Sequence, residues 1–205
     1  MIAIKICGIT RLSDARVAIR AGANAIGMVF APSPRRITYS QAKAIVDKLP
    51  VYVIKVGVFV DQPLEELLWL VDKLGLDRLQ FHGSENSQVL RKFSFTRVIK
   101  ALRPKKKALL PTQDPAPDAA AYLVDAFKPG VKGGTGLLAN WEYAKSLKKF
   151  KKTVILSGGL NTNNISEAIT KVKPDMVDVS SGVEKSPGIK DTVKLREFIK
   201  KVRDF

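Results

Sequence analysis

The chain holds one cysteine, one histidine and a small set of glycine-bearing turns, and any chemistry must be built from these and its carboxylates. Cys7 ends the alternating run Ile2–Cys7 and precedes Gly8. A thiol there suits a base or nucleophile, although an isolated cysteine is also a common small buried hydrophobe. Asp125 ends a second apolar run, where a carboxyl can act as acid or base. His82 ends a third, on the same face as Gln80, as either a substrate contact or a structural residue. With no second histidine, neither a zinc site nor a Ser-His-Asp triad is supported, so no metal is expected. Ser157-Gly158-Gly159-Leu160-Asn161 and Ser180-Ser181-Gly182-Val183-Glu184 each follow an apolar run. Glycines there let backbone N–H groups approach a phosphate, and Ser180 and Ser181 add hydroxyl donors. Lys132-Gly133-Gly134-Thr135-Gly136 reads as a flexible stretch over a substrate or as a connecting loop.

Positioning these residues requires a repeated strand–helix frame. Apolar, β-branched runs suited to strands are Ile2–Cys7, Ala25–Phe30, Val53–Val60, Arg78–His82, Arg97–Leu102, Ala121–Asp125, Thr153–Ser157 and Met176–Ser180. Segments of helical period are Ser13–Ala21, Ser40–Leu49, Leu64–Leu74, Glu85–Phe93, Trp141–Phe150, Asn163–Lys171 and Thr192–Val202, with Ser13, Ser40 and Asn161 or Thr162 as candidate caps. Consecutive βα units imply a parallel sheet. Closure into a (βα)8 TIM barrel is expected over an open sheet, because no strand reads as a polar edge. Such barrels run to about 250 residues and rarely below about 200, so the chain makes one domain, 1–205, with short loops. Pro104, Pro111, Pro115 and Pro117 surround three lysines and make the fifth helix irregular or missing. Parallel barrels carry their sites at the C-terminal strand ends, with phosphate often held after strands seven and eight. That is where the two serine–glycine turns fall. Strand alternation turns the isoleucines of the first strand toward the helices and Lys5 inward. It also turns Asp178 inward on the eighth strand, so a buried Lys5–Asp178 ion pair is expected beneath Cys7.

Composition narrows the class. The net charge is +16, with 35 Lys and Arg against 19 Asp and Glu. An anionic partner is one reading of this excess. A solvated lysine-rich surface is the other, and it is favoured because the basic runs are short and lack interleaved aromatics. Nucleic acid is therefore not an expected partner. No run approaches the roughly 18 apolar residues of a membrane span, and the N-terminus alternates like a strand instead of resembling an export signal. A cytoplasmic protein, monomer or homodimer, is expected.

Taken together, the motifs resemble the phosphoribosylanthranilate isomerase family across essentially the whole chain. The resemblance rests on Lys5-Ile6-Cys7-Gly8-Ile9-Thr10, Gly27-Met28-Val29-Phe30, Ser33-Pro34-Arg35-Arg36-Ile37, Val56-Gly57-Val58-Phe59-Val60 and Leu79-Gln80-Phe81-His82-Gly83. Gly133-Gly134-Thr135-Gly136, Leu156-Ser157-Gly158-Gly159-Leu160 and Asp178-Val179-Ser180-Ser181-Gly182-Val183-Glu184 complete it. It implies an Amadori rearrangement of a phosphorylated aminoaldose in tryptophan biosynthesis, with no cofactor. It further implies Cys7 as general base, Asp125 as general acid and Arg36 as the grip on the anthranilate carboxylate. The turns at Gly158-Gly159 and Ser181-Gly182 would hold phosphate. The acid must be neutral to act, so burial or negative charge must raise Asp125. The base must be a thiolate, which positive charge such as Lys5 favours. A related barrel isomerase of histidine biosynthesis would be expected to carry two carboxylates, and indole-glycerol-phosphate synthase would need extra N-terminal residues. A basic nucleic-acid-binding protein is the alternative outside enzymes.

Overall fold

In the computed structural model, residues 1–105, 107–126 and 138–205 are described. Eight strands form a closed parallel barrel: β1 (Ala3–Ile6), β2 (Ala25–Val29), β3 (Ile54–Phe59), β4 (Arg78–Phe81), β5 (Val98–Leu102), β6 (Ala121–Val124), β7 (Thr153–Leu156) and β8 (Met176–Val179). Each falls inside the run expected from sequence. β8 returns to pair with β1, setting Lys5 opposite Asp178 and Ile6 opposite Val179. Strand alternation divides the apolar residues into two cores. Ile4 and Ile6 join the larger core between sheet and helices. Ala25, Val56, Ile99, Ala101, Ala121, Leu123 and Ile155 fill the barrel interior.

The outer layer contains α1 (Leu12–Ala21), α2 (Tyr39–Val46), α3 (Leu64–Leu74), α4 (Ser87–Leu90), α5 (Trp141–Ser146), α6 (Ile165–Val172) and α7 (Thr192–Arg203). Among the described residues no helix lies between β5 and β6. There Asp114 instead accepts hydrogen bonds from the Tyr122 hydroxyl and the Ala116 N–H and pairs with Lys152. These contacts fix a proline-rich loop that cannot supply a helical ladder. The same described residues contain no helix long and apolar enough to cross a membrane.

Several helix boundaries depart from the sequence reading. α1 begins at Leu12, and Arg11, not Ser13, occupies the cap position without a capping bond. For α2 the cap is Thr38, which forms a reciprocal capping box with Gln41, and Ser40 lies inside the first turn. Neither Asn161 nor Thr162 caps α6, which starts at Ile165. Asn161 and Asn164 instead bind the preceding loop, both amides donating to the Gly159 carbonyl. α4 is only four residues long because Glu85 is drawn out of it. Its carboxylate accepts from the Asp61 and Gly83 N–H groups and pairs with Lys100 at 2.7 Å. The expected helix over Trp141–Phe150 tightens to a 3-10 turn from Leu147 onward. An unexpected antiparallel hairpin follows β8: β9 (Glu184–Ser186) and β10 (Ile189–Lys190).

Candidate active site

Cys7, His82, Asp125, Gly158-Gly159 and Ser180-Ser181-Gly182 all lie just past the C-terminal ends of barrel strands, so closure gathers them around one mouth. Beneath them runs a buried polar chain. Lys5 Nζ stands 3.0 Å from Asp178 Oδ1, and both side chains are almost fully buried. The expected ion pair therefore forms. Asp178 Oδ2 accepts from the Ser157 hydroxyl at 3.1 Å, while Oδ1 meets the lysine charge without an aligned hydrogen bond. Lys5 also donates to Gln80 Oε1 at 2.6 Å. An ammonium can only donate, so this contact fixes the Gln80 amide with its NH2 toward His82. That NH2 lies 2.7 Å from His82 Nε2, which must accept. Burial, with Lys5, Arg103 and Lys100 adding to it, holds the imidazole down at about 3. His82 is thus a neutral ring with its proton on Nδ1, joined to the interior.

Asp125 and Cys7 differ in what surrounds them. Burial pushes the Asp125 carboxyl up to about 6, with Asp178 adding to the rise. The Ala126 N–H, donating to Asp125 Oδ1 at 2.8 Å, opposes it, as do Arg103 and Lys5. The expected rise of this carboxyl is present. For Cys7 the expectation that Lys5 would favour thiolate holds only as a partial effect. Burial pushes the thiol up, Lys5 and Lys190 pull it down, Asp178 adds to the rise, and the net shift is upward. Desolvation of a sulfur anion outweighs two lysines here, so the resting group is a thiol.

The two glycine turns meet at one side of the mouth. A Cβ on Gly182 would fall 1.9 Å from the Leu160 carbonyl oxygen, so only glycine lets the turn after β8 close on the turn after β7. Gly158 has φ +75°, and a Cβ there would lie 2.5 Å from the Ala126 nitrogen and 3.0 Å from Asp125 Oδ1. A side chain at either place would separate the turns or displace the carboxyl. The Gly159 carbonyl, held by Asn161 and Asn164, turns the Leu160 N–H to the opposite side of a trans peptide.

Not every expected residue joins this cluster. Arg36 is exposed on the loop after β2, where it bridges Val29, and no side-chain ion pair to it occurs among the described residues. Its neighbour Arg35 turns inward instead and grips Glu184 with two nitrogens, at 2.9 and 2.7 Å. Gly133 and Gly134 lie outside the described residues. Sequence reading missed Lys190, which is buried beneath Cys7 and Ser180 and donates to both their carbonyls. It follows a tight turn in a two-residue strand, too short for any periodic pattern to reveal.

Known proteins share this architecture. A family model for N-(5'-phosphoribosyl)anthranilate (PRA) isomerase matches residues 4–201. The N-(5'-phosphoribosyl)anthranilate isomerase of Pelobacter propionicus is 46% identical over 201 residues, covering 98% of this chain and 95% of its own. The crystal structure of phosphoribosyl anthranilate isomerase from Thermus thermophilus superposes with a TM-score of 0.85 at 38% identity over 99% of both chains. Another phosphoribosyl anthranilate isomerase, crystallised with reduced 1-(o-carboxyphenylamino)-1-deoxyribulose 5-phosphate, matches with a TM-score of 0.80 at 34% identity over all of both chains. With the model spanning nearly the whole chain and barrel, turns and relatives in agreement, the chain belongs to the N-(5'-phosphoribosyl)anthranilate isomerase family.

Proposed function

We propose that the chain isomerises N-(5'-phosphoribosyl)anthranilate to 1-(2-carboxyphenylamino)-1-deoxyribulose 5-phosphate, in tryptophan biosynthesis, with Asp125 as general acid and Cys7 as general base. The partner is this small phosphorylated molecule, and the reaction belongs in the cytoplasm. Ser180, Ser181, Gly182 and the Gly158-Gly159 turn grip the phosphate, which fixes the sugar across the mouth. Gly133 and Gly134, outside the described residues, complete the proposed substrate contacts. Arg36 holds the anthranilate carboxylate, and His82, past the end of β4, is a neutral substrate contact. Asp125, protonated, gives its proton to the ribose ring oxygen as the bond from C1 to that oxygen breaks, leaving a Schiff base. Cys7, a thiol at rest, first gives up its proton to solvent and then, as thiolate, takes the proton from C2. The resulting enolamine becomes the ketose as C1 gains a proton and the C2 hydroxyl loses one. No electrons leave the substrate, so the rearrangement asks for no redox partner.

The observation that carries this reading is the Asp125 carboxyl raised to about 6 across the mouth from the buried thiol. The raised carboxyl keeps a proton to give closer to neutral pH than an ordinary aspartate does, and the thiol at the same mouth can take one once it has ionised. The test is to mix purified protein with freshly generated phosphoribosylanthranilate and follow the loss of anthranilate fluorescence. Turnover is expected with this substrate and not with the imidazole-carboxamide aminoaldose of histidine biosynthesis. Absence of turnover on the first would overturn the reading.

A further inference from the structure

A second ionic cluster lies behind the mouth, and none of the proposed catalytic steps uses it. Its centre is Lys190 on β10, buried to within a few per cent of completely. Nζ reaches three well-placed acceptors: the Cys7 carbonyl at 2.5 Å, the Ser180 carbonyl at 3.2 Å and Glu184 Oε1 at 2.9 Å. A protonated lysine has three donors and a neutral amine two, so this acceptor set matches an ammonium. The Ser180 hydroxyl oxygen lies at 3.5 Å. Facing a donor-only group, it can keep its own hydrogen for another acceptor.

The surroundings hold this cation in place. On β9, Glu184 bridges Lys190 to Arg35 of the loop that carries Arg36. From α1, Asp14 accepts the Lys190 backbone N–H at 3.0 Å and is itself paired with Arg11. Thr10 ties the hairpin turn to the end of β1 by donating to the Gly188 carbonyl at 2.6 Å. Among the described residues, the charged groups acting on Cys7 are Lys5 on β1, Asp178 on β8 and Lys190, with Asp125, Arg103 and neutral His82 further across the mouth. Lys5 is already paired with Asp178 and bonded to Gln80. Lys190 balances against Glu184, which Arg35 also neutralises, so its charge remains effective toward the thiol.

We propose that Lys190 is a positioning residue for the general base: its buried ammonium clamps the Cys7 and Ser180 carbonyls together and turns a positive charge toward the Cys7 sulfur. This rests on Cys7 being the base. The clamp makes the base and the phosphate turn one rigid unit, so that a gripped phosphate presents C2 to the thiol in a fixed register. Burial pulls the Lys190 ammonium down and Glu184 opposes that, leaving a net shift downward; the three acceptors around Nζ are what match the charged form.

The single cysteine allows a test that is independent of turnover. The rate of Cys7 alkylation by iodoacetamide is measured against pH, without substrate, in the wild type, Lys190→Met and Lys190→Arg. The methionine variant should show a midpoint higher by about one pH unit, hence about tenfold less thiolate below it. kcat/KM should fall by a similar factor, with KM raised as the phosphate turn loosens. Arginine should restore the midpoint to near the wild-type value. A midpoint unchanged in Lys190→Met would overturn the proposal, whatever happens to activity. If the methionine variant fails to give a cooperative melt, Lys190→Gln carries the same measurement. A shifted midpoint with undiminished turnover would sustain the link to Cys7 and remove Cys7 from the reaction, which separates the two failures.

Discussion

At the residue scale, the proposed role of Asp125 as an acid comes at the expense of stability. Its carboxyl sits near 3.8 when unfolded and at about 6 in the barrel. The folded state therefore binds this proton more tightly than the unfolded chain does. Below the unfolded value both states are protonated and nothing is lost. As pH rises toward 6 the unfolded chain ionises first, and above 6 the native state carries the full penalty, about 3 kcal/mol for a buried shift of this size. Asp125→Asn keeps the oxygen that accepts from Ala126 and removes the charge. Its melting temperature should exceed that of the wild type at about pH 8, and the gap should close near about pH 4. A constant difference at both values would argue against the burial account. Arg36 was legible as a candidate only through the family motif around it, because an exposed arginine on a loop has no local signature. Guanidinium can meet a carboxylate with two parallel bonds, which a thioether cannot. Arg36→Met should therefore raise KM by at least about tenfold, the equivalent of about 1.4 kcal/mol, with little change in melting temperature. An unchanged KM would return Arg36 to the solvated surface.

At the element scale, the strands were legible and the helix starts were not. A strand buried on one side by helices and on the other by the barrel interior must be apolar nearly throughout, and such runs stand out in a sequence. Caps depend on a side chain reaching one particular N–H, which spacing alone does not reveal. Thr38 is the instructive case: its hydroxyl accepts from Gln41 N–H while Gln41 Oε1 accepts from Thr38 N–H at 2.9 Å. Thr38→Ala should cost about 1 kcal/mol, read by urea denaturation, and leave kcat unaltered. α4 was misread because Glu85 fits a helical period yet is held by Asp61, Gly83 and Lys100 outside it. Tertiary contacts outweighed local preference at that point. The hairpin β9–β10 was invisible for the opposite reason, since five residues in two short strands carry no pattern. That concealment hid Lys190 too.

At the scale of the whole molecule, the Lys5–Asp178 contact is both a closure of the barrel and the floor of the mouth. It was legible because alternation on β1 and β8 placed two opposite charges inward, and two buried charges that face each other must pair. In the folded chain, burial alone would lower the Lys5 ammonium, yet Asp178 and Cys7 outweigh it and the net shift is upward. Removing one partner of such a buried pair typically costs about 3–5 kcal/mol, so Asp178→Ala should lower the denaturation midpoint accordingly. A loss within about 0.5 kcal/mol, the range of ordinary surface changes, would contradict that role. The charge excess also finds its place at this scale. Carboxylates are too few to pair with every cation, and several lysines, paired or not, bind loop carbonyls as well. Lys152 donates to Ala116 and Pro117 at 2.9 and 3.2 Å, Lys201 to Thr162 at 3.0 Å, and Lys148 and Lys149 to Lys173 and Pro111. These contacts tie the loops on which a short barrel depends, which gives part of the basic surface a structural occupation.

The division of labour between Asp125 and Cys7 is the central claim, and steady-state kinetics of Asp125→Asn and Cys7→Ser on phosphoribosylanthranilate test it most directly. An amide cannot give up the proton that opens the ribose ring, and a hydroxyl is a far weaker base than a thiol. General acid–base catalysis is worth about 10²–10⁴-fold, so each substitution should lower kcat by at least about a hundredfold while KM stays within about threefold of the wild type. A kcat equal to that of the wild type in either variant would contradict the account for that residue.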